Sequence, residues 1–360
     1  MGKKTIIPFG PQHPVLPEPV HLDLVVEDET VVEAIPSIGF IHRGLEKLVE
    51  KRDYNQMVYV IERICGICSF GHGWGACASI EGAMNVKVPE RAEYLRTILH
   101  ELSRLHSHLL WLGLLADAFG FESLFMHCWR MRETILDILE KTTGGRVIFS
   151  ICKVGGLRKD IDNDTLKEIV DTLQGIRAEV KELTDVFLED ESVKNRMCGV
   201  GVLSKEDAME LCAVGPVARG SGVAQDIRMT DNHGVYGELD FEPVLAEEGD
   251  CYARCKVRIG EVFQSIDLIA KAVEKIPDGP VSVPVKGNVK GQYIARMEQP
   301  RGEAFYYAKG ADSKFLKRMR VRTPTNMNIP ALVKILQGCD LADVPMMVLT
   351  IDPCISCTER

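Results

Sequence analysis

Two Cys-x-x-Cys pairs, Cys65–Cys68 in RICGIC and Cys354–Cys357 in DPCISC, stand far apart in a chain of 360 residues. This spacing lets two thiolates converge on one metal ion, because the two intervening residues turn the backbone back on itself. If both pairs hold one centre, the chain must fold so that its last residues meet the segment around residue 65. Zinc ribbons keep their pairs about 15–20 residues apart. The long separation therefore favours a centre in the heart of the fold, although soft thiolates also suit iron and nickel and the spacing does not name the metal.

Composition narrows the class of protein. The formal net charge is -9 and the basic residues are scattered, which argues against a nucleic-acid-binding protein. No run of about 18 uncharged apolar residues occurs, so the sequence predicts no transmembrane helix. The N-terminal stretch MGKKTIIPFGPQHP lacks the apolar core of a signal peptide, and we expect a cytoplasmic chain. Its twelve cysteines are then expected to be metal ligands or buried thiols rather than disulfides.

The apolar pattern predicts a mainly α fold with α+β ends. Residues 1–60 are predicted to form a small α+β segment, in which VHLDLVVEDETVVEAI makes a hairpin. Residues 61–277 are predicted to form a helical bundle and residues 278–360 a mixed segment of strands and turns, all merged into one domain. PMMVLTIDPC is predicted to be an extended run that Pro353 halts. Apolar spacing and helix-start signals predict helices from Pro89 to about Asp117, from Asp162 through Val186, from Ser204, and from Asp250 to Ile276.

The residues around the two pairs carry a resemblance. RICGICSFGHGWGAC and DPCISCTER are similar to the two nickel-binding signatures of the [NiFe]-hydrogenase large subunit. GPQHPVLPEP, HRGLEKL, LSRLHSHLLWLG and EQPRGEAFYYAKG have counterparts that hydrogenases share with the quinone-site large subunit of complex I. The chain thus resembles the large subunit of an Ech-type, group 4, energy-converting membrane-bound hydrogenase. The complex I subunit lacks the complete set of four cysteines that this sequence has, so hydrogenase is the favoured member of the pair.

The resemblance implies a nickel–iron centre and its ligands. Cys65 and Cys354 would bind nickel alone, whereas Cys68 and Cys357 would bridge nickel to an iron that carries cyanide and carbon monoxide. The implied reaction is the reversible heterolytic cleavage of H2 to protons and electrons, in which a terminal sulfur can accept the departing proton.

Three further residues match functional positions of the family. Arg301, in QPRG, matches the guanidinium that overhangs the open metal position; the alternative is a surface arginine in a turn. Asp352 matches the carboxylate partner of that arginine, or merely caps the last turn. Glu18 matches, in position, the glutamate that takes protons from the active-site sulfur, and its alternative is an exposed loop residue.

Other residues are expected near the centre. Glu46 matches a carboxylate near a structural magnesium, but the usual C-terminal histidine ligand is replaced by Arg360, so Glu46 could instead pair with Arg43 or serve the proton path. His72 resembles a histidine that donates a hydrogen bond to a cysteine sulfur, with a core histidine as the alternative. Arg63 is a candidate cation for balancing the thiolate charge, as are Arg301 and Arg360.

The remaining eight cysteines show no further Cys-x-x-Cys spacing, so no iron–sulfur cluster is expected in this chain. An iron–sulfur small subunit must then carry the electrons, with ferredoxin as the partner that the resemblance implies. Further hydrophilic and integral-membrane subunits similar to those of complex I would translocate H+ or Na+ and would hold this chain peripherally at the cytoplasmic face of the membrane. Two competing hypotheses stay open: a complex I-like quinone or ion-pump coupling subunit without hydrogen chemistry, and a scaffold whose four thiolates bind zinc.

Overall fold

The computed structural model describes residues 4–14, 16, 18–230 and 233–360; Val15 and Pro17 of the GPQHPVLPEP motif lie outside this range. Helices predominate in it, and the strands lie toward its two ends and in one short central hairpin. The strands are β1 (Thr5–Phe9), β2 (His21–Glu27), β3 (Thr30–Ser37), β4 (Cys152–Lys153), β5 (Gly156–Leu157), β6 (Gln292–Gln299), β7 (Gly302–Gly310) and β8 (Leu316–Arg322). The helices are α1 (Leu45–Val49), α2 (Met57–Glu62), α3 (Ser69–Met84), α4 (Glu90–Ala118), α5 (Glu122–Thr143), α6 (Asn163–Glu189), α7 (Glu191–Met197), α8 (Lys205–Glu210), α9 (Pro216–Arg219), α10 (Ile227–Thr230), α11 (Cys251–Lys275), α12 (Pro324–Leu336), α13 (Val344–Ile351) and α14 (Ile355–Glu359).

The first sheet is antiparallel, in the order β1–β2–β3. The predicted hairpin is confirmed: Glu27 pairs with Thr30, and the two residues between them have positive φ angles, as a tight hairpin turn requires. Leu22, Leu24 and Val26 alternate inward along β2 and are buried in the apolar core.

The central bundle is built around α4, which packs against α5 on one side and α11 on another. Nearly every residue of α4 is buried, including its histidines and arginines. The predicted helix starts are confirmed by side-chain caps. Asp162 accepts a hydrogen bond from Thr165 N at 2.8 Å, Ser204 accepts from Asp207 N at 3.0 Å, and Asp250 accepts from Ala253 N at 2.7 Å.

Several helices depart from the sequence-based prediction. α3 and α5 have no counterpart in it, and α12 and α14 lie in the segment that was predicted to hold strands and turns. The run PMMVLTIDPC, predicted to be extended, is largely the helix α13. Pro345 lies in the first turn of α13, where the backbone N–H that proline lacks would not take part in a helix hydrogen bond. All residues from Met346 to Ile351 are buried, so the segment has no polar face and its periodicity carries no signal. The helix ends at Ile351, and the next residue, Asp352, takes the left-handed conformation with φ of 57° before Pro353.

The second large sheet, β6–β7–β8, lies against α3 through β6 and β7. Its β6–β7 turn pairs Gln299 with Gly302 and places Arg301 at the tip. Gly302 has φ of 126°, and a Cβ there would lie 2.7 Å from the backbone nitrogen of Gly215. The turn therefore needs glycine both for its conformation and for its close approach to the neighbouring backbone.

One large cluster of buried apolar side chains runs from Phe9 to Cys357 and includes residues of the N-terminal, central and C-terminal segments. Both cysteine pairs are part of it. Among the helices described above, not one combines the length and apolar composition needed to cross a lipid bilayer.

Candidate metal centre

The four predicted cysteine ligands meet in one buried place. Cys65 and Cys354 have Sγ atoms 3.3 Å apart, and Cys68 and Cys357 have Sγ atoms 3.6 Å apart. The sulfurs of Cys65, Cys68 and Cys357 all lie within 4.8 Å of one another. Cys68 immediately precedes α3 and Cys354 immediately precedes α14, so both loops end in the first turn of a helix.

The two cysteine loops are tied together by Arg43, a residue that sequence reasoning noted only as a possible partner of Glu46. Its guanidinium donates to Arg63 O at 2.9 Å and to Ile64 O at 2.8 Å, just before the first pair. The same group donates to Ser356 O at 3.0 Å, within the second pair. A single guanidinium thus sets the distance between segments that are remote in sequence.

The close spacing of the four sulfurs shifts the pKa values of their thiols. Hydrogen bonds from the other thiols, that of Cys354 first, hold the pKa of Cys65 well below its usual value against the effect of burial. The hydrogen bond to Cys354 is the first cause that raises the pKa of Cys357 well above its usual value. Cys68 and Cys354 each form a hydrogen bond to Cys357 that acts to lower their pKa values. Contact with Cys65 and burial outweigh it, so both pKa values are raised well above the usual value. One of the four cysteines is therefore easily ionised in this site, whereas the ionisation of all four requires cations close to the sulfurs.

The donor set fits a thiophilic metal. Four sulfurs bound at about 2.3 Å around one tetrahedral ion would lie about 3.8 Å from each other, which is close to the two spacings found. Soft thiolates select zinc, nickel, copper or iron over magnesium and calcium. The backbone N–H of Ile67 also donates to Cys65 Sγ at 3.3 Å, a bond that stabilises the thiolate.

Arg301 and Asp352, both candidates from the motifs, form a buried pair beside the sulfurs. Arg301 Nη2 lies 2.7 Å from Asp352 Oδ1, and its Nε donates to Asp352 O at 2.9 Å. Ser107 on α4 accepts from Arg301 Nη1 at 3.3 Å. Burial raises the pKa of Asp352 although Arg301 acts to lower it, and its Oδ2 atom has no hydrogen-bond partner in the described part of the chain.

His72 contacts the centre directly, because its Nε2 lies 3.4 Å from Cys357 Sγ. Burial lowers the pKa of His72 to about 4, so the ring is neutral. Behind it, Tyr306 OH lies 2.8 Å from His72 Nδ1, and Gln299 Nε2 donates to Tyr306 OH at 3.1 Å. Neither Tyr306 nor Gln299 was predicted; the only signal was their place in the EQPRGEAFYYAKG motif.

The glycines of SFGHGWGAC make room for these groups. Each glycine in a helix interior weakens the helix by about 1 kcal/mol relative to alanine, so their use in α3 needs a reason. A Cβ at Gly71 would lie 2.3 Å from Gln299 Oε1, and a Cβ at Gly75 would lie 2.3 Å from Tyr306 Cε2. The two glycines, one turn apart, thus admit the side chains that support His72.

Glu18 lies at the start of α14, half-buried. The backbone N–H groups of Ile355 and Ser356 both donate to its Oε2 atom, the latter at 2.9 Å, and the Ser356 hydroxyl donates to Oε1. Its carboxylate is close enough to contribute to the raised pKa of Cys354. The geometry puts Glu18 beside the second cysteine pair rather than in an exposed loop.

Glu46 lies among cations. It accepts from Val321 N at 2.9 Å, Arg360 Nε at 3.1 Å and Arg320 Nη1 at 3.2 Å. Arg43, its alternative partner, instead points to the cysteine loops. Both carboxylate oxygens are engaged by donors, which does not fit a magnesium ligand.

The expectation for Arg63 needs correction. Its side chain is exposed and donates to Tyr59 O at 2.7 Å, one turn back along α2, so it turns away from the sulfurs. Arg43 and Arg301 supply the guanidinium groups at the loops in its place.

A buried ionic network, which sequence reasoning missed, supports the turn that carries Arg301. Arg104 on α4 donates to Glu298 O at 2.6 Å and to Gln299 O at 3.3 Å, and also contacts Glu101 at 3.2 Å. Its only sequence signal was its place in the LSRLHSHLLWLG motif.

A helical bundle whose two cysteine loops bring four sulfurs together beside a buried Arg–Asp pair defines the class of metal-binding proteins with thiolate ligands. Comparison with known proteins agrees. The family model described as nickel-dependent hydrogenase matches residues 43–117, and that of the respiratory-chain NADH dehydrogenase 49 kDa subunit matches residues 118–290 and 285–360.

Individual relatives match along nearly the whole chain. The membrane-bound hydrogenase subunit alpha of Pyrococcus furiosus is 38% identical, over 98% of this chain and 87% of its own length. The carbon monoxide-induced hydrogenase of Rhodospirillum rubrum is 39% identical, over 98% of this chain and 99% of its own. A chain in the structure of the membrane-bound sulfane sulfur reductase, an archaeal respiratory membrane complex, superposes with a TM-score of 0.94 at 30% identity, covering 99% of this chain and 98% of that chain.

The chain belongs to the family of group 4, membrane-bound hydrogenase large subunits, which is related to the 49 kDa subunit of complex I. The resemblance and the fold class predicted from the sequence are thereby confirmed.

Proposed function

We propose that this chain is the catalytic subunit of a [NiFe] hydrogenase that interconverts H2 with protons and electrons. The observation that carries the proposal is the meeting of four buried cysteine sulfurs, from two loops that match the nickel-binding signatures. Cys65 and Cys354 are proposed to bind nickel alone, and Cys68 and Cys357 to bridge nickel to an iron with cyanide and carbon monoxide ligands. When bound, such a centre supplies the electron-rich metals on which H2 is cleaved heterolytically.

Arg301 is proposed to hold its positive charge over the site. Asp352 accepts two hydrogen bonds from it, one through the carboxylate and one through the backbone carbonyl, so the guanidinium cannot swing away. A fixed charge in a buried, water-poor site acts more strongly than in solvent and needs no reorganisation during the reaction. Asp352 is thus the residue that orients Arg301.

Glu18 is proposed to receive the proton that leaves the site through a cysteine sulfur. Its carboxylate is oriented by donors from Ile355 and Ser356, the two residues that follow Cys354. Support for this role comes from the position of Glu18 next to the second cysteine pair and from its partial exposure, which gives a proton a way to the surface.

Partners complete the proposal. With no cluster-type cysteine spacing beyond the two pairs, an iron–sulfur small subunit is proposed to carry the electrons to ferredoxin. Integral-membrane subunits are proposed to translocate ions and to hold this chain at the cytoplasmic face. Support comes from relatives named as parts of larger enzymes, such as formate hydrogenlyase subunit 5 of Escherichia coli and a subunit of the F420H2 dehydrogenase of Methanosarcina mazei. Ferredoxin-driven H2 production by membranes, and its response to an ionophore, tests this part.

The competing function is a complex I-like quinone or ion-pump coupling subunit without hydrogen chemistry. It is favoured by the match of residues 118–360 to the family model of the 49 kDa subunit. That match leaves out the first cysteine pair, whereas the hydrogenase model includes it.

Metal analysis and infrared spectroscopy of the purified, metal-replete complex distinguish these functions. Nickel and iron near one each per chain, with infrared bands from iron-bound cyanide and carbon monoxide, are expected. Absence of metal favours the coupling subunit, and zinc favours a scaffold. Metal-replete protein without the infrared bands overturns the hydrogenase proposal.

A further inference from the structure

Four buried groups form a linear chain of hydrogen bonds that ends at a metal-ligand sulfur. It runs from Gln299 Nε2 to Tyr306 OH at 3.1 Å, on to His72 Nδ1 at 2.8 Å, and from His72 Nε2 to Cys357 Sγ at 3.4 Å. All four side chains are at most 1% exposed. No solvent therefore competes for these bonds.

The donors and acceptors of this chain fix its direction. The Gln299 nitrogen only donates, so the Tyr306 oxygen accepts from it and has its own single proton free to donate onward. The atom within reach of that proton is His72 Nδ1, which therefore accepts it and is the unprotonated ring nitrogen. The ring proton consequently lies on Nε2, directed at the sulfur of Cys357.

We propose that Tyr306 is a positioning residue that fixes the ring proton of His72 on Nε2 and so makes His72 a constant hydrogen-bond donor to Cys357, with Gln299 holding Tyr306 in that orientation. The consequence for the metal centre rests on the proposed function; the direction of the chain does not.

The bond from Tyr306 does two things. It prevents the imidazole from turning about its Cβ–Cγ bond, and it polarises the ring so that Nε2 becomes a stronger donor. A donor to a ligand sulfur withdraws electron density from it, which tunes the bound metal. The proposed effect of this hydrogen bond on the centre therefore passes through His72.

The neighbouring tyrosine supplies a matched control. Tyr307 points to the other face of β7, is part-exposed, and donates to Gln292 at 2.7 Å. Tyr307→Phe removes the same hydroxyl from the same strand without touching the chain, whereas Tyr306→Phe breaks it.

The first experiment needs no metal. The nine histidines are labelled with 15N in the full-length chain, and the signals of His72 are assigned by their loss in His72→Leu. Nitrogen shifts and couplings are expected to place the proton on Nε2 in the unsubstituted chain and in Tyr307→Phe, with mixed tautomers in Tyr306→Phe. A proton on Nδ1 in the unsubstituted chain, which is the reverse direction with Gln299 accepting from Tyr306, overturns the proposal.

The second experiment uses Co2+ alone as the probe of the sulfur site. Tyr306→Phe is expected to weaken Co2+ affinity roughly tenfold and to shift the sulfur-to-cobalt absorption band, within the range known for residues behind metal ligands. In a chain that already carries His72→Leu, Tyr306→Phe should cause no further change in affinity or absorption. Tyr307→Phe should change neither quantity. Equal affinity and an unshifted band in Tyr306→Phe, or additive effects with His72→Leu, overturn the proposal. Absence of any such band in the unsubstituted chain would instead count against the four-sulfur metal site, and the tautomer measurement then decides the role of Tyr306.

Discussion

The Sγ atoms of Cys65 and Cys354 lie 3.3 Å apart although 289 positions separate the two residues. A local zinc finger can form by itself, but this contact requires nearly the whole chain to be folded. Loop-closure entropy grows only with the logarithm of loop length, so such a long closure is feasible once the bundle has formed. Metal binding here is therefore expected to be linked to the folding of the entire chain rather than of one segment.

Cysteine variants test which thiols are ligands. Cys354→Ala is expected to abolish H2 chemistry and to lower the nickel content per chain by at least tenfold, because one corner of the site is lost. Cys128→Ala is the control: Cys128 is fully buried in α5 and serves as a small apolar side chain. It should keep its metal and lose only about 1 kcal/mol of stability. Equal metal loss in both variants, measured by elemental analysis, would contradict the ligand assignment.

The role of Glu18 can be tested with little structural change. In Glu18→Gln the amide oxygen can still accept from the backbone N–H groups of Ile355 and Ser356, and the Ser356 hydroxyl can accept from the amide nitrogen. The loop should stay in place, yet the side chain can no longer take up a proton. We expect H/D exchange with H2 to fall by about 100-fold while the infrared bands of the assembled centre persist. Unchanged exchange would remove Glu18 from the proton path.

The periodic parts of the fold were predictable from sequence because their physics is local. The hairpin around Glu27–Thr30 and the caps at Asp162, Ser204 and Asp250 depend on neighbours in the chain. α13 was not predictable, because a helix buried on all sides has no polar face to reveal its period. α3 was obscured by glycines whose purpose appears only when the side chains of β6 and β7 pack against it.

The site divides in the same way. Its cysteines, with Arg301, Asp352 and His72, were found through motifs, and the structure places them together. Arg43, Tyr306 and Arg104 were missed as parts of the site, because their roles depend on partners more than 200 positions away or on backbone carbonyls, which a sequence does not display. Arg63 was misplaced for the converse reason: closeness in sequence to Cys65 did not determine the direction of its side chain.

Two buried arginines are expected to differ in their effect on stability. Arg104→Met should destabilise the fold by about 3–5 kcal/mol, because it leaves the buried Glu101 less compensated and frees the carbonyls of Glu298 and Gln299. Arg258 donates to Arg254 O and lies over the Trp111 ring, but its Nε and Nη2 atoms have no partner among the described residues.

Arg258→Met is therefore expected to change the free energy of unfolding by no more than about 1 kcal/mol, because an apolar side chain avoids the desolvation of an incompletely bonded cation. Denaturant unfolding of the two variants at one pH gives the comparison. A larger loss in Arg258→Met than in Arg104→Met would show that the buried network is organised differently.

Glu62 is expected to make stability depend on pH. Burial raises its pKa from 4.5 to about 7, although the hydrogen bond from Ser150 acts to lower it, and a Cβ at Gly73 would lie 2.5 Å from its Oε1. Between pH 4.5 and 7 the unfolded chain releases the Glu62 proton while the folded chain retains it, so the unfolded state gains in relative stability as the pH rises. The stability that the folded chain gains by binding this proton is fully present below pH 4.5 and is lost as the pH rises through 7. The loss in the free energy of unfolding amounts to about 3 kcal/mol.

Glu62→Gln removes the titrating group and keeps the shape of the side chain. The free energy of unfolding of the unsubstituted chain should fall more steeply between pH 5 and pH 7 than that of Glu62→Gln, and the variant should be the more stable of the two above pH 7. Denaturant unfolding at several pH values measures both curves. Parallel curves through this window would mean that Glu62 is already ionised in the folded protein.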